Sequence, residues 1–415
     1  MAGHVQDRWY KTEPGPDGKP VKVKTDRHGT GMRYRARYIG PDGTERSQSF
    51  PDRQKRQAEA WLAKIEADMS RGQYIDPRAG RVTFRQYALD WLASQTTDPS
   101  TREAVERRLR LHAFPHLGSR PLGSFQPSHV RAWARTLEDL GLASSYRRVI
   151  FGNVSAALTA AVDDGHLARN PCRAGSIKPP APSPGRIKPW SADRVFAVRA
   201  GLPARFRAMV DLGAGCGLRQ GEIFGLPVDE VDPLAGVLHV TQQVKMVGHR
   251  QVFAPPKGGK LRDVPLPDAV ASVLAEHMTA FPPVEVTLPW LRPDGPPVTK
   301  LLHFTGAELG AIRRNDFNTH AWKPALVTAG VIPERAPGQP YKESREDGMH
   351  ALRHFYASVL LDAGENIKAL SAYLGHADPG FTLRTYTHLM PSSETRTRRA
   401  VDEMFRTARR HPDGP

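Results

Sequence analysis

A proline-rich stretch at residues 177–189 constrains the folding of this chain more than any other feature of its sequence. It holds Pro179, Pro180, Pro182, Pro184 and Pro189, with glycine and serine among them. Proline fixes φ and has no backbone N–H, so a segment this rich in proline forms no interior helix or strand. We therefore expect a linker between folding units here. A chain of 415 residues has room for about two to four domains at the usual size of roughly 100–200 residues.

The front of the chain, residues 1–75, predicts a small sheet followed by one helix. Residues 32–39 alternate between apolar and basic and predict a strand, and residues 45–50 predict the returning strand. Apolar residues recur at helical spacing across residues 53–71. One face of this sheet is a candidate DNA-contact surface, with an ordinary solvated sheet face as the alternative. Its basic residues are Arg33, Arg35 and Arg37.

Residues 81–175 are almost wholly helical in pattern, with a Thr83 cap and further helix starts near Ser100, Pro127 and Ser144. The outer faces of these helices are rich in arginine, as a clamp on DNA phosphates requires. A charge run is also what a solvated helix face looks like, so this pattern is supporting evidence only. The candidate DNA-binding residues here are Arg107, Arg108, Arg110, Arg147 and Arg148.

The charge balance points to a polyanionic partner. The chain has 59 lysines and arginines against 43 aspartates and glutamates, a formal charge of +16. Such a surplus costs self-repulsion and usually serves to meet nucleic acid.

Two cysteines exclude a disulfide framework and an all-cysteine zinc site. The longest uncharged run, residues 149–162, is shorter than the ~20 apolar residues of a membrane span, and the N-terminus lacks a signal-peptide core, so we expect no membrane partner.

The first segment whose side chains are candidates for a functional site is Gly217-Leu218-Arg219-Gln220-Gly221-Glu222. Glycines end the preceding helix and place Arg219 at the start of the next, where backbone N–H groups favour an anion. Glu222 lies one turn on and could hold the guanidinium. A surface Arg–Glu pair is the alternative.

In a second segment, strand-like flanks predict a β-hairpin turn that presents Lys257 at its tip, with Lys260 close behind.

The third segment is His350-Ala351-Leu352-Arg353-His354, at the start of an amphipathic helix. His350 and Arg353 are three residues apart and share a helix face. A zinc site on His350 and His354 would need a third ligand and would have Arg353 beside the metal, so an anion fits better and we expect no metal.

The fourth segment runs from Leu374-Gly375-His376 to Tyr386, near the end of the last predicted helix. Taken singly, Tyr386 is usually a core residue and His376 an ordinary histidine after a helix end. The joint order is not expected by chance: Arg219, Lys257, His350, Arg353, His376 and Tyr386. Two arginines, two histidines, a lysine and a tyrosine can grip a phosphate and attack it without a metal ion.

That order resembles the tyrosine recombinases, or phage integrase family, in its lambda-type form. The resemblance implies a mainly α fold with small β-sheets (α+β). It divides the chain into an arm-type DNA-binding domain (1–75), a helical core-binding domain (81–175), a linker (176–189), a mixed α/β catalytic domain (190–390) and a tail (391–415). One departure is local, since Gly258-Gly259 follow Lys257 where threonine or serine is common.

The resemblance also implies a mechanism in which Tyr386 attacks a scissile DNA phosphate and forms a 3′-phosphotyrosine. Arg219 and Arg353 would hold the non-bridging oxygens, with Glu222 in support and His376 as a neutral donor. His350 is the candidate to help deprotonate the tyrosine, and Lys257 would protonate the leaving 5′-oxygen. The covalent bond stores the energy of the broken strand, so no nucleotide or other cofactor is expected.

The implied partners are double-stranded DNA attachment sites and three further copies of the chain in a tetramer, together with a host DNA-bending protein and a directionality factor. The implied location is the bacterial cytoplasm, at the nucleoid. In the tail, Val401, Met404 and Phe405 are candidates to dock on a neighbouring subunit, with a frayed terminal helix as the alternative. Two other functions remain open: DNA relaxation of the type IB topoisomerase kind, and sequence-specific DNA binding without catalysis.

Overall fold

The computed structural model describes residues 3–15, 19–41, 43–71, 74, 79–181, 187–341, 345–386, 388, 398, 401–402 and 406. The chain forms two compact units, residues 1–183 and 184–415. The boundary between them falls inside the proline-rich stretch. The subdivision of the first unit at residues 75–81 stays a prediction; that unit contains two separate hydrophobic clusters, one formed by residues between 34 and 65 and the other by residues between 84 and 177.

A three-stranded antiparallel sheet and one helix form the front of the first unit. Its elements are β1 (His4–Asp7), β2 (Tyr10–Pro14), β3 (Pro20–Lys24), β4 (Tyr34–Ile39), β5 (Glu45–Phe50) and α1 (Lys55–Ser70). The strand order is β1-β4-β5, while β2 and β3 form a separate hairpin. Tyr34, Ala36 and Tyr38 alternate onto the buried face of β4 and pack with α1. The predicted strand pair and helix are confirmed; β1, β2 and β3 were missed because their sequence is polar and interrupted by glycine and proline.

The rest of the first unit is helical, as predicted. Its helices are α2 (Phe84–Ser94), α3 (Pro99–Arg108), α4 (Phe114–Leu117), α5 (Pro127–Asp139) and α6 (Ser144–Asp163). Thr83 caps α2, and its Oγ1 accepts from the Gln86 N–H at 3.3 Å. A π-helical turn at Leu109–Ala113 joins α3 to α4. Fully buried Phe84, Trp133 and Ile150 lie at the centre of this helical core.

The second unit combines helices with three small antiparallel sheets. Its helices are α7 (Ala192–Gly201), α8 (Ala204–Gly215), α9 (Gln220–Phe224), α10 (Asp268–Ala280), α11 (Arg314–Phe317), α12 (Lys323–Thr328), α13 (His350–Asp362), α14 (Ile367–Tyr373) and α15 (Pro379–Tyr386). Its strands are β6 (Val231–Asp232), β7 (Val237–Val240), β8 (Gln243–Val247), β9 (Arg250–Ala254), β10 (Arg262–Pro265), β11 (Val284–Pro289) and β12 (Pro297–Leu302). The predicted α+β class, mainly α with small sheets, is confirmed.

The connection that carries Lys257 differs from the prediction. β9 pairs with β8, whereas β10 pairs with β7, so the segment between them crosses from one sheet to another. The prediction of a hairpin turn is therefore wrong. A short 3₁₀ turn at Lys257–Gly259 occupies this crossover, and the true hairpin turn lies between β8 and β9. The sequence pattern located the strands but carried no information about which of them pair.

The helices that bear the motifs pack directly on one another. The α8 backbone at Gly213 lies against Leu352 of α13, where an added Cβ would be 2.8 Å from the Leu352 side chain. After α8 the chain reverses at Gly217, whose φ is +64° and whose Cα faces the Tyr356 ring. A second, smaller hydrophobic cluster contains Tyr356, Leu374 and Tyr386. The close approach of α8 and α13 thus fixes where the arginine-bearing turn and the terminal tyrosine lie.

No helix in the described part of the chain combines the length and the apolar character needed to cross a membrane.

We expect Gly217→Ala to lower the free energy of unfolding by about 2–5 kcal/mol. Left-handed backbone costs a residue with a Cβ roughly 1–2 kcal/mol, and overpacking costs roughly 1–3 kcal/mol more. The overpacking arises because the new Cβ would be 2.4 Å from the Tyr356 ring. Urea unfolding measures the change. Gly236→Ala is the matched control, because Gly236 has the same φ of +64° but its nearest neighbour is the Leu266 oxygen at 3.9 Å. Equal losses in the two variants would contradict a close contact at Gly217.

Candidate active site

Three of the four sequence segments converge at one place in the second unit. Arg219 is the N-cap residue of α9, and Arg353 lies in the first turn of α13. His376 follows the end of α14, and Tyr386 is the last residue of α15. The helix starts and ends predicted around Arg219, Gly375 and Tyr386 are confirmed.

A buried carboxylate, Glu222, lies at the base of the cluster and is only 1% exposed. Its Oε1 accepts from Arg219 Nη1 at 2.9 Å, and its Oε2 accepts from the Arg219 backbone N–H at 2.8 Å. Arg262 donates to both oxygens, with distances of 3.0 and 2.7 Å. Burial alone would raise the pKa of Glu222, but Arg262 and Arg219 outweigh it and lower this pKa to about 2. Glu222 is therefore a permanent anion that holds two arginines.

Arg262 is a positioning residue that the sequence analysis missed. It lies at the start of β10 with a side chain only 5% exposed, and its Nε donates to the Tyr373 carbonyl at 2.7 Å. Through Glu222 it fixes the orientation of Arg219. A local signal existed: Arg262 is two residues before Val264 and so shares the buried face of the strand. An inward arginine needs a buried carboxylate, but no local pattern identifies which one.

Arg219 and Arg353 converge on a single backbone oxygen. Arg353 is 1% exposed and donates to the carbonyls of Gly217, at 2.7 Å, and Leu374. Arg219 Nη2 donates to the same Leu374 carbonyl at 3.2 Å. Burial, reinforced by the positive charge of Arg219, lowers the pKa of Arg353 to about 9. With Arg262 and Glu222 included, these four side chains have an excess of positive charge, so the cluster favours an anion.

Tyr386 is buried in the same cluster and is 1% exposed. Its hydroxyl lies 2.7 Å from His354 Nδ1. Burial raises the pKa of Tyr386 to about 12, although the positive charges of Arg353 and Arg219 act in the opposite direction. Since the charges of both arginines act on this phenol, the Tyr386 hydroxyl and the arginines lie within electrostatic reach of each other. At neutral pH the tyrosine is protonated.

The histidines occupy three distinct environments. His376 Nδ1 is 2.7 Å from Thr382 Oγ1, and its ring meets the edge of Phe381. Burial and the neighbouring arginines lower the pKa of His376 to about 4, so its ring is neutral and offers one N–H donor. His350, the first residue of α13, is exposed, whereas Arg353 points into the core. His354, one turn after His350, is the histidine in contact with the Tyr386 hydroxyl.

Both candidate lysines are exposed on the crossover between β9 and β10. Lys257 begins the 3₁₀ turn, and Lys260 follows it. Lys260 Nζ donates to the His376 carbonyl at 3.3 Å. Lys260 thus contacts the loop that bears His376, and Lys257 lies three residues earlier on the same turn.

The predicted DNA-binding arginines of the front sheet have protein partners. Arg33 pairs with Asp7 at 2.9 Å and with Asp52 at 3.0 Å, which raises its pKa. These two carboxylates favour the structural alternative for Arg33. Arg35 donates to Ser47 at 2.9 Å, and Arg37 pairs with Glu45 at 3.2 Å. DNA contact by the residues of this row stays a prediction.

The arginines of the helical region divide in a similar way. Arg107 and Arg110 are exposed. Arg147 pairs with Glu138 at 3.0 Å, Arg108 donates to Asn153 at 3.4 Å, and exposed Arg148 donates to the Pro180 carbonyl at 2.9 Å. Of the predicted tail anchors, Val401 is 44% exposed, while Met404 and Phe405 lie outside the described residues. The described residues contain no group of three or more His, Cys, Asp or Glu side chains placed to hold a metal ion.

Two family models match the first unit. The model for the phage integrase N-terminal domain matches residues 27–71. The model for the phage integrase central domain matches residues 84–176.

Matches to curated proteins cover more of the chain than the two family models do. The chain is 30% identical to tyrosine recombinase XerC of Rhodospirillum centenum over 320 residues, which are 74% of this chain and 80% of that protein. It is also 30% identical to a tyrosine recombinase XerC-like protein of Caldanaerobacter subterraneus over 260 residues, which are 59% of this chain and 62% of that protein. Among solved structures, the Tn1549 transposon integrase in complex with transposon right end DNA matches with a TM-score of 0.62 at 20% identity, and the match covers 79% of this chain and 99% of that one. This structural likeness concerns the fold.

We expect Glu222→Gln to lower the free energy of unfolding by about 3 kcal/mol at pH 7, since a pKa lowered from 4.5 to about 2 corresponds to that much charge stabilisation. The stabilisation is complete above pH 4.5 and is lost as the pH falls from 4.5 toward 2. The difference between wild type and variant should therefore be constant from pH 7 to 5 and shrink below pH 4.5. Urea unfolding at pH 7, 5, 4 and 3 measures it.

Asp229→Asn is the control for this experiment. Asp229 is 71% exposed and pairs with Lys300 at 3.9 Å, so its loss should cost less than about 0.5 kcal/mol. A cost for Glu222→Gln no larger than this, or one independent of pH, would contradict a buried charged Glu222.

Proposed function

The chain belongs to the tyrosine recombinase family, whose members cut and rejoin DNA strands at specific sites, and we propose that Tyr386 is the nucleophile of this reaction. The observation that carries the assignment is the position of Tyr386. Tyr386 is buried, and its phenol lies within electrostatic reach of two arginines that converge on one backbone oxygen and whose charges Glu222 balances only in part. Attack on a DNA phosphate would leave a 3′-phosphotyrosine and release a 5′-hydroxyl.

Arg219 and Arg353 would stabilise the transition state of this attack. A pentacoordinate phosphorus gathers negative charge on its non-bridging oxygens, and guanidinium groups hold such oxygens with paired N–H donors. Glu222 and Arg262 hold Arg219 in place beforehand, so little reorganisation is needed when the phosphate arrives. His376, neutral and oriented by Thr382, would add an uncharged donor.

The leaving group needs a proton, because an alkoxide departs poorly at neutral pH. A lysine on the crossover between β9 and β10 would supply it. Resemblance to the family assigns this role to Lys257, whereas Lys260 is the lysine that contacts the His376 loop. Since the phosphotyrosine conserves the energy of the phosphodiester, the strand can be rejoined without a cofactor.

Strand exchange between two duplexes cuts four strands, and each chain supplies one Tyr386. The active assembly we propose is therefore a tetramer on attachment-site DNA. The front sheet with α1 would bind arm-type DNA, and the helical region would bind the core site through Arg107, Arg110 and neighbouring arginines. The net charge of +16 supports both contacts. A host DNA-bending protein, a directionality factor and action at the bacterial nucleoid complete the proposal.

We expect wild-type protein to form a covalent adduct with a nicked suicide substrate, from which the cleaved strand end diffuses away and blocks rejoining. Tyr386→Phe should form no adduct. Arg219→Lys and Arg353→Lys should form it about 10²–10³-fold more slowly, since lysine lacks the paired donors. Denaturing gels with labelled DNA measure the adduct. Tyr341→Phe, the same change away from the cluster, should react like wild type.

Three outcomes would revise the proposal. An adduct that persists in Tyr386→Phe would remove Tyr386 from the nucleophile role. DNA binding without any adduct in the wild type would favour a regulator. Relaxation of every supercoiled plasmid, with no preference for an attachment site, would favour an activity of the type IB topoisomerase kind.

A substrate with sulfur in place of the bridging 5′-oxygen should identify the catalytic lysine. A thiolate leaves without protonation, so only the variant lacking the proton donor regains its rate on this substrate. We expect Lys257→Ala to lose about 10²-fold on the normal substrate and to recover with sulfur. Lys260→Ala should lose less and show no recovery. The reverse pattern would give the role to Lys260.

A further inference from the structure

We propose that His354 is a further catalytic residue, which accepts the proton of the Tyr386 hydroxyl during attack and passes a proton outward past His350. The proposal rests on the nucleophile role of Tyr386. The resemblance to the family implies this function for His350. In the structure, His354 is the histidine in hydrogen-bond contact with the nucleophile.

The geometry is that of a base and its substrate proton. His354 Nδ1 and the Tyr386 hydroxyl are 2.7 Å apart, within the range for general-base catalysis. His354 is in the first half of α13, and Tyr386 ends α15; residues of both helices belong to the hydrophobic cluster that contains Tyr356, Leu374 and Tyr386. Tyr386 is 1% exposed, which limits the access of bulk water to its proton.

The other two histidines are placed for different tasks. His376 uses its Nδ1 in a 2.7 Å contact with Thr382. His350 lies one turn before His354 on the same helix, and the two rings meet edge to face with centroids 4.6 Å apart. Exposure increases outward through the three side chains: Tyr386 is buried, His354 is half-buried and His350 is exposed. A proton taken from Tyr386 thus has a path toward solvent.

The charges around His354 suit a base that acts only with substrate bound. Arg353 lies on the same helix as His354, and His350 lies one turn before it. Tyr386 faces His354 from α15, and His376 and Arg219 lie in the adjoining cluster. Burial and then Arg353 lower the pKa of His354 to about 4. A phosphate bound by Arg353 and Arg219 would offset these positive charges and raise this pKa. The same phosphate is the electrophile, so activation of the base and arrival of the target coincide.

The proton balance of the step is complete. The Tyr386 O–H bond breaks as its oxygen bonds to phosphorus, and a new N–H bond forms at His354 Nδ1. The resulting imidazolium releases its other ring proton, from Nε2, to water. The P–O5′ bond breaks, and the crossover lysine protonates the departing oxygen. Rejoining runs the same transfers in reverse.

The test uses single-turnover cleavage of the suicide substrate by the full-length protein with His354→Asn. Asparagine Oδ1 can accept the Tyr386 hydrogen bond in place of Nδ1 but cannot take up a proton at neutral pH. We expect cleavage to slow about 10²-fold at pH 7, with DNA affinity unchanged and with a steeper rise in rate toward high pH, where tyrosine ionises without a base. The substrate with a 5′-sulfur should not restore the rate, because the lost step is on the nucleophile side.

Two further variants separate catalysis from structure. His354→Ala leaves room for a small base, and added imidazole should restore part of its rate. His320→Asn alters an exposed histidine of the same unit and should cleave like wild type.

The proposal is overturned if His354→Asn cleaves within about threefold of wild type with the same pH profile, or if the 5′-sulfur substrate restores its rate. It is also overturned if imidazole does nothing for His354→Ala while DNA binding is intact. Failure of the wild type itself to form an adduct would instead count against the proposed function.

Discussion

The hydrogen bonds of the buried Glu222 carboxylate are the interactions on which the rest of the candidate site in the second unit depends. Its two oxygens accept hydrogen bonds from the Arg219 backbone N–H, the Arg219 guanidinium and both terminal nitrogens of Arg262. Those arginines in turn hold the carbonyls of Leu374 and Tyr373 at the end of α14. One side chain therefore joins three segments that are far apart in sequence. A buried carboxylate of this kind is stabilising only with its partners complete, so the three segments are fixed as a set.

The same arrangement leaves the cluster with more positive than negative charge, and this imbalance defines its chemistry. Burial brings Arg353 close to Arg219 despite their repulsion and depresses its pKa to about 9. An anion relieves that repulsion, and a DNA phosphate is the anion that a chain of +16 net charge meets most readily. Tyr386 and the neighbouring His354 and His376 are neutral at physiological pH, so on the proposed function a phosphate would meet concentrated positive charge beside an uncharged attacking group.

Local patterns predicted the elements well, and pairings between distant elements poorly. The glycine-ended helix before Arg219, the helix end before His376 and the position of Tyr386 near a helix end each follow from a few adjacent residues. The partnership of Arg262 with Glu222 and of His354 with Tyr386 joins residues 40 and 32 positions apart, and no local rule encodes such contacts. The strand pairing around Lys257 and the acidic partners of Arg33 were missed for the same reason. The site residues were predicted as a set because their types and order resemble a family, and their catalytic roles stay predictions.

The Leu374 carbonyl accepts hydrogen bonds from both guanidinium groups and so marks the point at which an anion would meet them. Each terminal guanidinium nitrogen carries two N–H groups, so a second oxygen can bind beside this carbonyl. A free phosphate ion or nucleotide must give up its translational and rotational entropy to do so. A phosphate within a duplex gripped elsewhere along its length arrives at high effective concentration and has little left to lose. If the cluster acts as proposed, it should therefore favour a phosphate delivered as part of a polymer over the small phosphates of a cell.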